Sequence, residues 1–238
     1  LTINQKKINI KLMKKMNLTL TGLFAAAILL FSSCKKDDTT VAIDKTNDGT
    51  FKVFTEGNIT TVQNLIADTI IGLTPIGQPY GANKYTFFSI ENNALVPASD
   101  SATNKWDIAF RGTTIITNAG TSGPGLGGAF VLVGTFDATA SVPADSTFYT
   151  DAAPVYAIRT GSGKGWYNYD GANNLVTALP GRVIMIRTAT GKYAKLEIIN
   201  YYKKGITPAA TAPDNDKLSL QRYYGFRYTF QPNGTKTF

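Results

Sequence analysis

The chain contains no histidine among its 238 residues, and this sets the first limit on its chemistry. Histidine is the usual general base near neutral pH and the commonest metal ligand, so histidine-dependent triads are excluded. A carboxylate pair could still perform acid–base work. Most acids of the folded part, however, occupy turn or tether settings, where aspartate is favoured for its hydrogen bonds to the backbone. These acids are Asp100, Asp137, Asp145, Asp151, Asp214 and Asp216. We therefore predict that the protein is not an enzyme.

An aromatic group, Trp166, Tyr167 and Tyr169, follows the glycine-rich segment 161–165. Aromatic side chains beside a loop offer a large and rigid surface to a ligand. The same side chains also commonly fill the core of a β-sandwich. The residues alone leave both roles open.

Glycines 123, 125 and 128 match the pattern GxGxxG. A dinucleotide site needs this pattern between a strand and a helix, so that the helix N-terminus meets the pyrophosphate. Here the pattern is followed by the apolar run 129–133, which predicts a strand. We reject a nucleotide site and interpret the glycines as a loop that uses positive φ angles.

The N-terminal stretch has the organisation of an export signal. Five lysines precede the uncharged apolar run Leu18–Phe31, which is shorter than the roughly 20 residues of a membrane-spanning helix. A basic region, a short apolar core and small residues define a secretory signal. Ser32 and Ser33 precede Cys34, the only cysteine in the chain, and this arrangement resembles a lipobox. We predict that residues 1–33 are a lipoprotein signal peptide and that Cys34 is lipidated, which would anchor the protein in a membrane.

The charge of the chain changes once the signal is removed. The 24 basic residues, less the five lysines of the signal, leave 19 against 16 acids, a net charge of +3. The basic residues are scattered rather than clustered, so we predict no nucleic-acid binding. Residues 34–49 are polar and read as a flexible tether. Residues 50–238 are predicted to form a single domain of mainly β structure.

Short runs rich in β-branched and aromatic residues, bounded by turn residues, predict the strands. They are Lys84–Ile90, Lys105–Phe110, Thr113–Thr117 and Ala129–Phe136, followed by two runs that flank a hairpin turn at Ala189–Gly191 and by a last strand at Tyr223–Phe230. In that last strand the alternation of Tyr224, Phe226, Tyr228 and Phe230 predicts a core stripe. We expect two packed antiparallel sheets. One stretch, Asn58–Ile71, has near-helical spacing of apolar residues and is predicted to be helical.

An ordered set of motifs resembles the core signature of HmuY-like proteins, a family of β-rich, heme-binding lipoproteins of Bacteroidetes. The resemblance covers about residues 105–230 in consistent order. Its motifs are Lys105–Phe110, Thr117–Gly123, Gly127–Ala129, Val142-Pro143 with Asp145, Gly165-Trp166, Gly181–Val183, Ile186–Ala189, Gly191–Lys195 and Phe226–Phe230. The polar stretch after Cys34, with Lys36, Asp37 and Asp38, resembles the signal that sends lipoproteins of this lineage to the outer face of the outer membrane. A plain solvated tether is the alternative.

The resemblance implies a surface lipoprotein that captures heme and passes it to an outer-membrane transporter of the TonB-dependent class. In the family, iron is held by histidines or methionines, and one ligand would fall near Tyr169 and Asp170 here. Because histidine is absent, Tyr169 and then Tyr167 become the candidate ligands, with Trp166 beside them. Met185 is the only methionine after the signal and could supply a thioether instead, although a strand methionine usually fills the core.

Two further alternatives remain open at this stage. A porphyrin could be held by stacking alone, without iron ligation. The same β-sandwich could also be a non-heme surface binder or adhesion-type protein for a glycan or a protein ligand. Arg111 or Arg159 would support a tyrosinate ligand if either lay nearby.

Overall fold

A computed structural model describes residues 45–238, in which the chain forms fourteen strands and one α-helix. The strands are β1 (Lys52–Glu56), β2 (Ile59–Ile66), β3 (Gly72–Leu73), β4 (Pro79–Tyr80), β5 (Thr86–Ser89), β6 (Ala94–Val96), β7 (Ile108–Arg111), β8 (Thr114–Thr117), β9 (Gly128–Val133), β10 (Tyr167–Asp170), β11 (Leu175–Ala178), β12 (Arg182–Arg187), β13 (Tyr193–Tyr202) and β14 (Gln221–Gln231). The helix α1 spans Asp214–Leu220, and short 3-10 turns occupy Ala98–Asp100 and Lys203–Gly205.

Two antiparallel sheets form the body of the domain. The larger has six strands in the order β1-β2-β14-β13-β12-β9, and the smaller has four in the order β6-β5-β7-β8. The predicted hairpin at Ala189–Gly191 is confirmed, because it joins β12 to β13 in antiparallel register. Two further hairpins, β3–β4 and β10–β11, form separate two-stranded sheets. The prediction of a mainly β, packed-sheet fold is confirmed.

The main core lies between the two sheets and is dominated by aromatic rings. Tyr224, Phe226 and Tyr228 alternate along β14 and are fully buried, as the period of two requires. Phe226 stacks on Phe110 of the smaller sheet at 5.4 Å between ring centroids and meets Phe88 edge-on at 5.7 Å. Rings in such geometries contribute about 0.5–1.5 kcal/mol per pair beyond the area they bury.

A second apolar layer covers the outer face of the six-stranded sheet. Val183 and Met185 of β12 pack there against Phe136 and Val142, which belong to the segment that follows β9. Lys195 is buried in this layer and donates hydrogen bonds to the carbonyl oxygens of Phe136 at 2.9 Å and Thr139 at 2.7 Å. Both faces of the six-stranded sheet are therefore covered near its centre.

The helix predicted for Asn58–Ile71 is wrong, because Ile59–Ile66 is strand β2, paired with β1 and β14. Asn64 has a φ of 54°, and the pairing with β14 shifts register opposite this point. Such a bulge inserts one residue into the alternation. As a result Leu65 enters the core together with Val62. Their spacing of three residues resembles the spacing on one face of a helix.

The hairpin β10–β11 is fastened to the helix α1 by the buried side chain of Lys217. Its Nζ atom donates to the carbonyl oxygens of Asn173, at 2.8 Å, and Ala210, at 2.7 Å, and lies 3.4 Å from a carboxylate oxygen of Asp214. Asn173 belongs to the turn of the hairpin, whereas Lys217 and Asp214 belong to α1. One side chain thus holds the helix and the hairpin together.

The predicted signal peptide, Cys34 and residues 34–44 of the predicted tether lie outside the described residues. The division into signal, tether and single domain stays a prediction. Between residues 45 and 238, no helix is both long and apolar enough to cross a membrane.

Candidate functional site

Two of the predicted site residues belong to the core. Trp166 is 2% exposed, and its indole N–H donates to the carbonyl oxygen of Thr113 at 3.0 Å. Tyr167 is also buried, and its hydroxyl accepts a hydrogen bond from the backbone N–H of Gly161 at 3.1 Å. The core role, left open by the sequence, is the one these two side chains take.

Tyr169 differs from Tyr167 although period two places both on one face of β10. Tyr167 reaches into the core, whereas Tyr169 is 47% exposed. The Tyr169 hydroxyl lies 2.8 Å from the side-chain oxygen of Asn174, to which it donates a hydrogen bond. Among the four predicted residues, Tyr169 alone presents its side chain to solvent.

Tyr169 lines a small cleft, which we call the hairpin cleft, with walls from three elements. Leu73 and Pro79 come from the β3–β4 hairpin, Asn174 from the β10–β11 turn, and Leu218 from α1. The cleft has a volume of about 230 Å³. Its walls therefore combine apolar side chains with the phenol and amide of the Tyr169–Asn174 pair.

Met185 lies in a different part of the molecule. It is fully buried in the layer on the outer face of the six-stranded sheet, opposite Phe130 of β9 and Lys195 of β13. Its thioether could reach a ligand only if the segment around Phe136 and Val142 opened. This is the core position that is usual for a strand methionine, and the ligand role of Met185 stays a prediction.

The arginines considered as helpers do not line the hairpin cleft. Arg111 instead places its guanidinium carbon 4.4 Å from the ring centroid of Tyr85. Burial raises the pKa of Tyr85 to about 12, and the nearby Arg111 opposes this rise without cancelling it. Arg159 is exposed.

A larger concavity, which we call the sheet groove, lies on the outer face of the four-stranded sheet. It measures about 660 Å³ and is lined on one side by Tyr85, Phe87, Ile116 and Tyr156. This groove was not predicted from the sequence. The signal was present in the run Lys84–Ile90, where Tyr85 and Phe87 face outward while Phe88 and Ile90 enter the core.

Gly123 of the GxGxxG pattern lines this groove, but the glycines of the pattern do not serve the predicted purpose. None of Gly123, Gly125 and Gly128 has a positive φ. A Cβ atom at Gly123 would lie 2.2 Å from the side-chain oxygen of Asn118, and one at Gly125 would lie 2.7 Å from the Asn118 carbonyl oxygen. The loop is glycine-rich because it wraps closely around Asn118, so the interpretation through φ angles was wrong.

The family model of the HmuY protein matches residues 81–211, which is more than half of the chain. The chain belongs to the HmuY family. No curated protein is similar enough in sequence to count as a relative. The match covers all the strands from β5 to β13 and includes Tyr169, the hairpin cleft residue Asn174 and the wall of the sheet groove.

Three solved structures are distantly similar to this chain. A proposed lipoprotein of Bacteroides fragilis is 17% identical to this HmuY-family chain. The alignment covers 75% of this chain and 93% of the lipoprotein, with a TM-score of 0.45. A proposed HmuY-like heme-binding protein of Bacteroides vulgatus is 15% identical over 72% and 91%, with a TM-score of 0.44. The apo form of an HmuY analogue of Tannerella forsythia is 16% identical over 72% and 97%, with a TM-score of 0.39.

Membership of a heme-binding family raises the question of whether these residues fit heme. The Tyr169 phenol is of a ligand type that heme iron accepts, and it is accessible. The hairpin cleft, however, is smaller than the roughly 300–1,000 Å³ of typical small-molecule pockets, so it cannot enclose a porphyrin. Lys217, the cation that lines it, already bonds to two carbonyl groups. The site of this HmuY-family chain fits an iron ligand at the protein surface and does not fit an enclosed heme pocket.

Within residues 45–238, no group of three or more histidine, cysteine, aspartate or glutamate residues is placed to hold a metal ion.

Proposed function

We propose that this HmuY-family protein binds heme at its surface and that Tyr169 is the iron ligand. The observation that carries this proposal is the exposure of the Tyr169 phenol at the place where the family signature expects a ligand. Trp166 and Tyr167 hold Tyr169 in place, because they pack in the core and fix the start of β10. Heme, when bound, would supply the ferric iron that a phenolate prefers.

A phenolate ligand requires loss of a proton from a group whose ordinary pKa is about 10. A bound cation lowers such a pKa, so ferric iron itself can supply the driving force. The Tyr169 hydroxyl donates a hydrogen bond to the side-chain oxygen of Asn174. Asn174 therefore holds the phenol oxygen in a fixed position, from which the oxygen must turn or exchange its partner to bind iron.

We also propose that the protein is anchored by a lipid on Cys34 and faces outward from the outer membrane, where it would pass heme to a TonB-dependent transporter. The lipobox and the residues Lys36, Asp37 and Asp38 support the proposal. Replacing those three residues with alanine should leave the protein in the membrane but hide it from protease added to intact cells. Unchanged digestion would reduce the segment to a simple tether.

Hemin titration tests the heme proposal. Wild-type protein should sharpen and shift the Soret band of hemin, and Tyr169→Phe should abolish the charge-transfer features of a phenolate ligand. Tyr149→Phe is the matched control, because Tyr149 is also exposed but does not line the hairpin cleft. Since a phenolate favours ferric iron, dithionite should weaken the wild-type complex.

The remaining outcomes separate the alternatives. Binding that survives Tyr169→Phe would indicate stacking without this ligand. A Met185→Leu variant that no longer binds hemin, together with wild-type protein that binds more tightly after reduction, would indicate a thioether ligand. That ligand would be reached by opening the outer layer. Hemin that keeps its free spectrum at every protein concentration would leave a non-heme surface binder.

A further inference from the structure

We propose that the sheet groove is a second ligand site, built to bind a short neutral oligosaccharide. The groove lies on the outer face of the four-stranded sheet, and its lining shares no residue with the hairpin cleft. The proposal therefore does not depend on heme binding at Tyr169.

The aromatic wall of the groove has the form that sugar rings need. Tyr85, Phe87 and Tyr156 are each partly buried, so they keep accessible ring surface. Phe87 is held edge-on against the buried Trp106, at 4.9 Å between centroids, and Arg111 covers the Tyr85 ring at 4.4 Å. Rings fixed in this way offer apolar contact to the C–H faces of a sugar with little loss of side-chain entropy.

The opposite wall supplies hydroxyl groups with spare hydrogen-bonding capacity. Within the described part of the chain, the hydroxyls of Ser101 and Ser122 make no hydrogen bond. The Thr121 hydroxyl accepts one from the backbone N–H of Ala153 at 2.9 Å and keeps its own hydrogen free to donate. A site that hydrogen-bonds hydroxyl groups discriminates strongly against ligands that lack them.

The lining of the groove contains no charged side chain among the described residues. Arg111 packs over the Tyr85 ring but does not itself line the groove. An acidic or basic ligand would therefore lose hydration on entering without gaining an ion pair from the lining, which costs free energy. Aromatic faces, uncharged hydroxyls and small glycine, alanine and proline residues remain. This combination favours an uncharged polyhydroxylated ligand over an anion, a cation or a purely apolar molecule.

The groove is also held in shape before any ligand arrives. Buried Asn118 donates to the carbonyl oxygens of Thr103 and Trp106, both at 2.8 Å, and accepts from the N–H of Gly125 at 2.9 Å. One side chain therefore fixes the loops on two sides of the groove. Preorganised walls lower the entropy cost of binding.

A second buried side chain fixes the third wall. Asp151 is 1% exposed and accepts hydrogen bonds from the N–H groups of Thr117 and Ala157, both at 2.8 Å. It thereby ties β8 to the segment that carries Ala153 and Tyr156. The volume of about 660 Å³ falls within the range of ligand pockets.

Isothermal titration of the full-length protein with three neutral probes tests the site: maltotriose, cellotriose and triacetylchitotriose. We expect at least one to bind with a dissociation constant in the millimolar range or tighter, and trigalacturonate, an acidic comparator, to bind more weakly. Hydrogen–deuterium exchange with the binding sugar should slow in peptides that cover residues 98–104, 119–125 and 151–157.

Tyr156→Ala should weaken sugar binding about tenfold or more, because it removes one aromatic ring on which the sugar stacks. Tyr149→Ala is the matched control, since Tyr149 is exposed in the same connecting segment but does not line the groove. Ser122→Glu provides a second test that leaves the aromatic wall intact, and its added charge should also weaken binding. Hemin titration of these variants should match wild type.

Four results would overturn the proposal. The first is the absence of binding by all three neutral sugars at millimolar concentration. The second is slowed exchange confined to other peptides, including those around Tyr169. The third is equal weakening by Tyr149→Ala and Tyr156→Ala. Hemin that competes with the sugar would show that the groove belongs to the heme site.

Discussion

The carboxylate of Asp107 accepts a hydrogen bond from the backbone N–H of Ala189 at 2.9 Å, across 82 positions of sequence. The other carboxylate oxygen accepts from the N–H of Ile90 at 2.7 Å. Asp107 precedes β7 of the smaller sheet, and Ala189 lies in the turn between β12 and β13 of the larger one. A single buried side chain thus joins the two sheets at one end of the sandwich.

We expect Asp107→Ala to destabilise the domain by about 3 kcal/mol or more, because several buried N–H groups would lose their acceptor. Urea unfolding followed by circular dichroism measures this change. Asp137→Ala is the control, since the Asp137 side chain is 71% exposed. Equal midpoints for the two variants would contradict the structural role of Asp107.

Acid should remove the stability that Glu91 contributes. Burial alone would raise the pKa of Glu91, but hydrogen bonds from Lys192, at 2.8 Å, and from Thr190 outweigh burial and lower it. A group with a lowered folded pKa stabilises the protein above its unfolded pKa, about 4.3 for glutamate, and loses this effect as the pH falls through the folded value.

The free energy of unfolding of Glu91→Gln should therefore lie below that of wild type at neutral pH and converge with it in acid. Urea midpoints measured at neutral pH and at successively lower pH values give the difference. Glu56→Gln controls for loss of a surface charge, because the Glu56 side chain is 56% exposed. A gap that stays constant across the acid range would refute this assignment.

Lys217→Met should loosen the hairpin cleft without unfolding the sandwich. The change leaves the carbonyl groups of Asn173 and Ala210 without their donor and should cost about 2 kcal/mol. Hydrogen exchange should quicken in residues 170–178 and 210–220, while β12 and β13 stay protected. Lys164→Met, at an exposed loop position, should alter neither region.

If Tyr169 is the heme ligand, Lys217→Met should also weaken hemin binding, because Tyr169 and Asn174 lie on the hairpin that Lys217 fastens. Lys217→Met that loosens the hairpin yet binds hemin as wild type does would mean that the ligand lies elsewhere.

Cys34→Ala should abolish lipid attachment, since Cys34 is the only cysteine and the predicted acylation site. The variant should accumulate unprocessed or appear in the soluble fraction, and it should incorporate no radiolabelled palmitate. Ser33→Ala, which keeps a small residue before the cysteine, should still be labelled. Label in Cys34→Ala would place the lipid on another residue.

The parts of the fold that follow local patterning were predictable. The alternation of Tyr224, Phe226 and Tyr228 and the turn at Ala189–Gly191 both depend on neighbouring residues, and both are confirmed. The false helix at Asn58–Ile71 arose because the bulge at Asn64 changes the spacing of the buried residues. The sequence near Asn64 does not show the hydrogen-bond partners of its side chain. These are Asn47 and Thr50, which lie 17 and 14 positions earlier in the chain.

The burial of the candidate site residues was not predictable from the sequence, and the site itself stays a prediction. Trp166, Tyr167 and Tyr169 are similar in type and adjacent in sequence, and only tertiary packing decides that Tyr169 lies outside the core. The glycines near residue 125 have a local cause, the close approach of Asn118 a few residues earlier in the chain, but the sequence pattern alone does not show that the loop folds back onto it.

The two tryptophans of the chain give each proposed site its own optical reporter. Trp106 contacts Phe87 in the wall of the sheet groove, whereas Trp166 contacts Tyr167 on the hairpin that carries Tyr169. Both indoles are buried, so both should emit at short wavelength in the folded state. In Trp106→Phe the remaining Trp166 reports on the hairpin when hemin is added, and in Trp166→Phe the remaining Trp106 reports on the sheet groove when sugar is added.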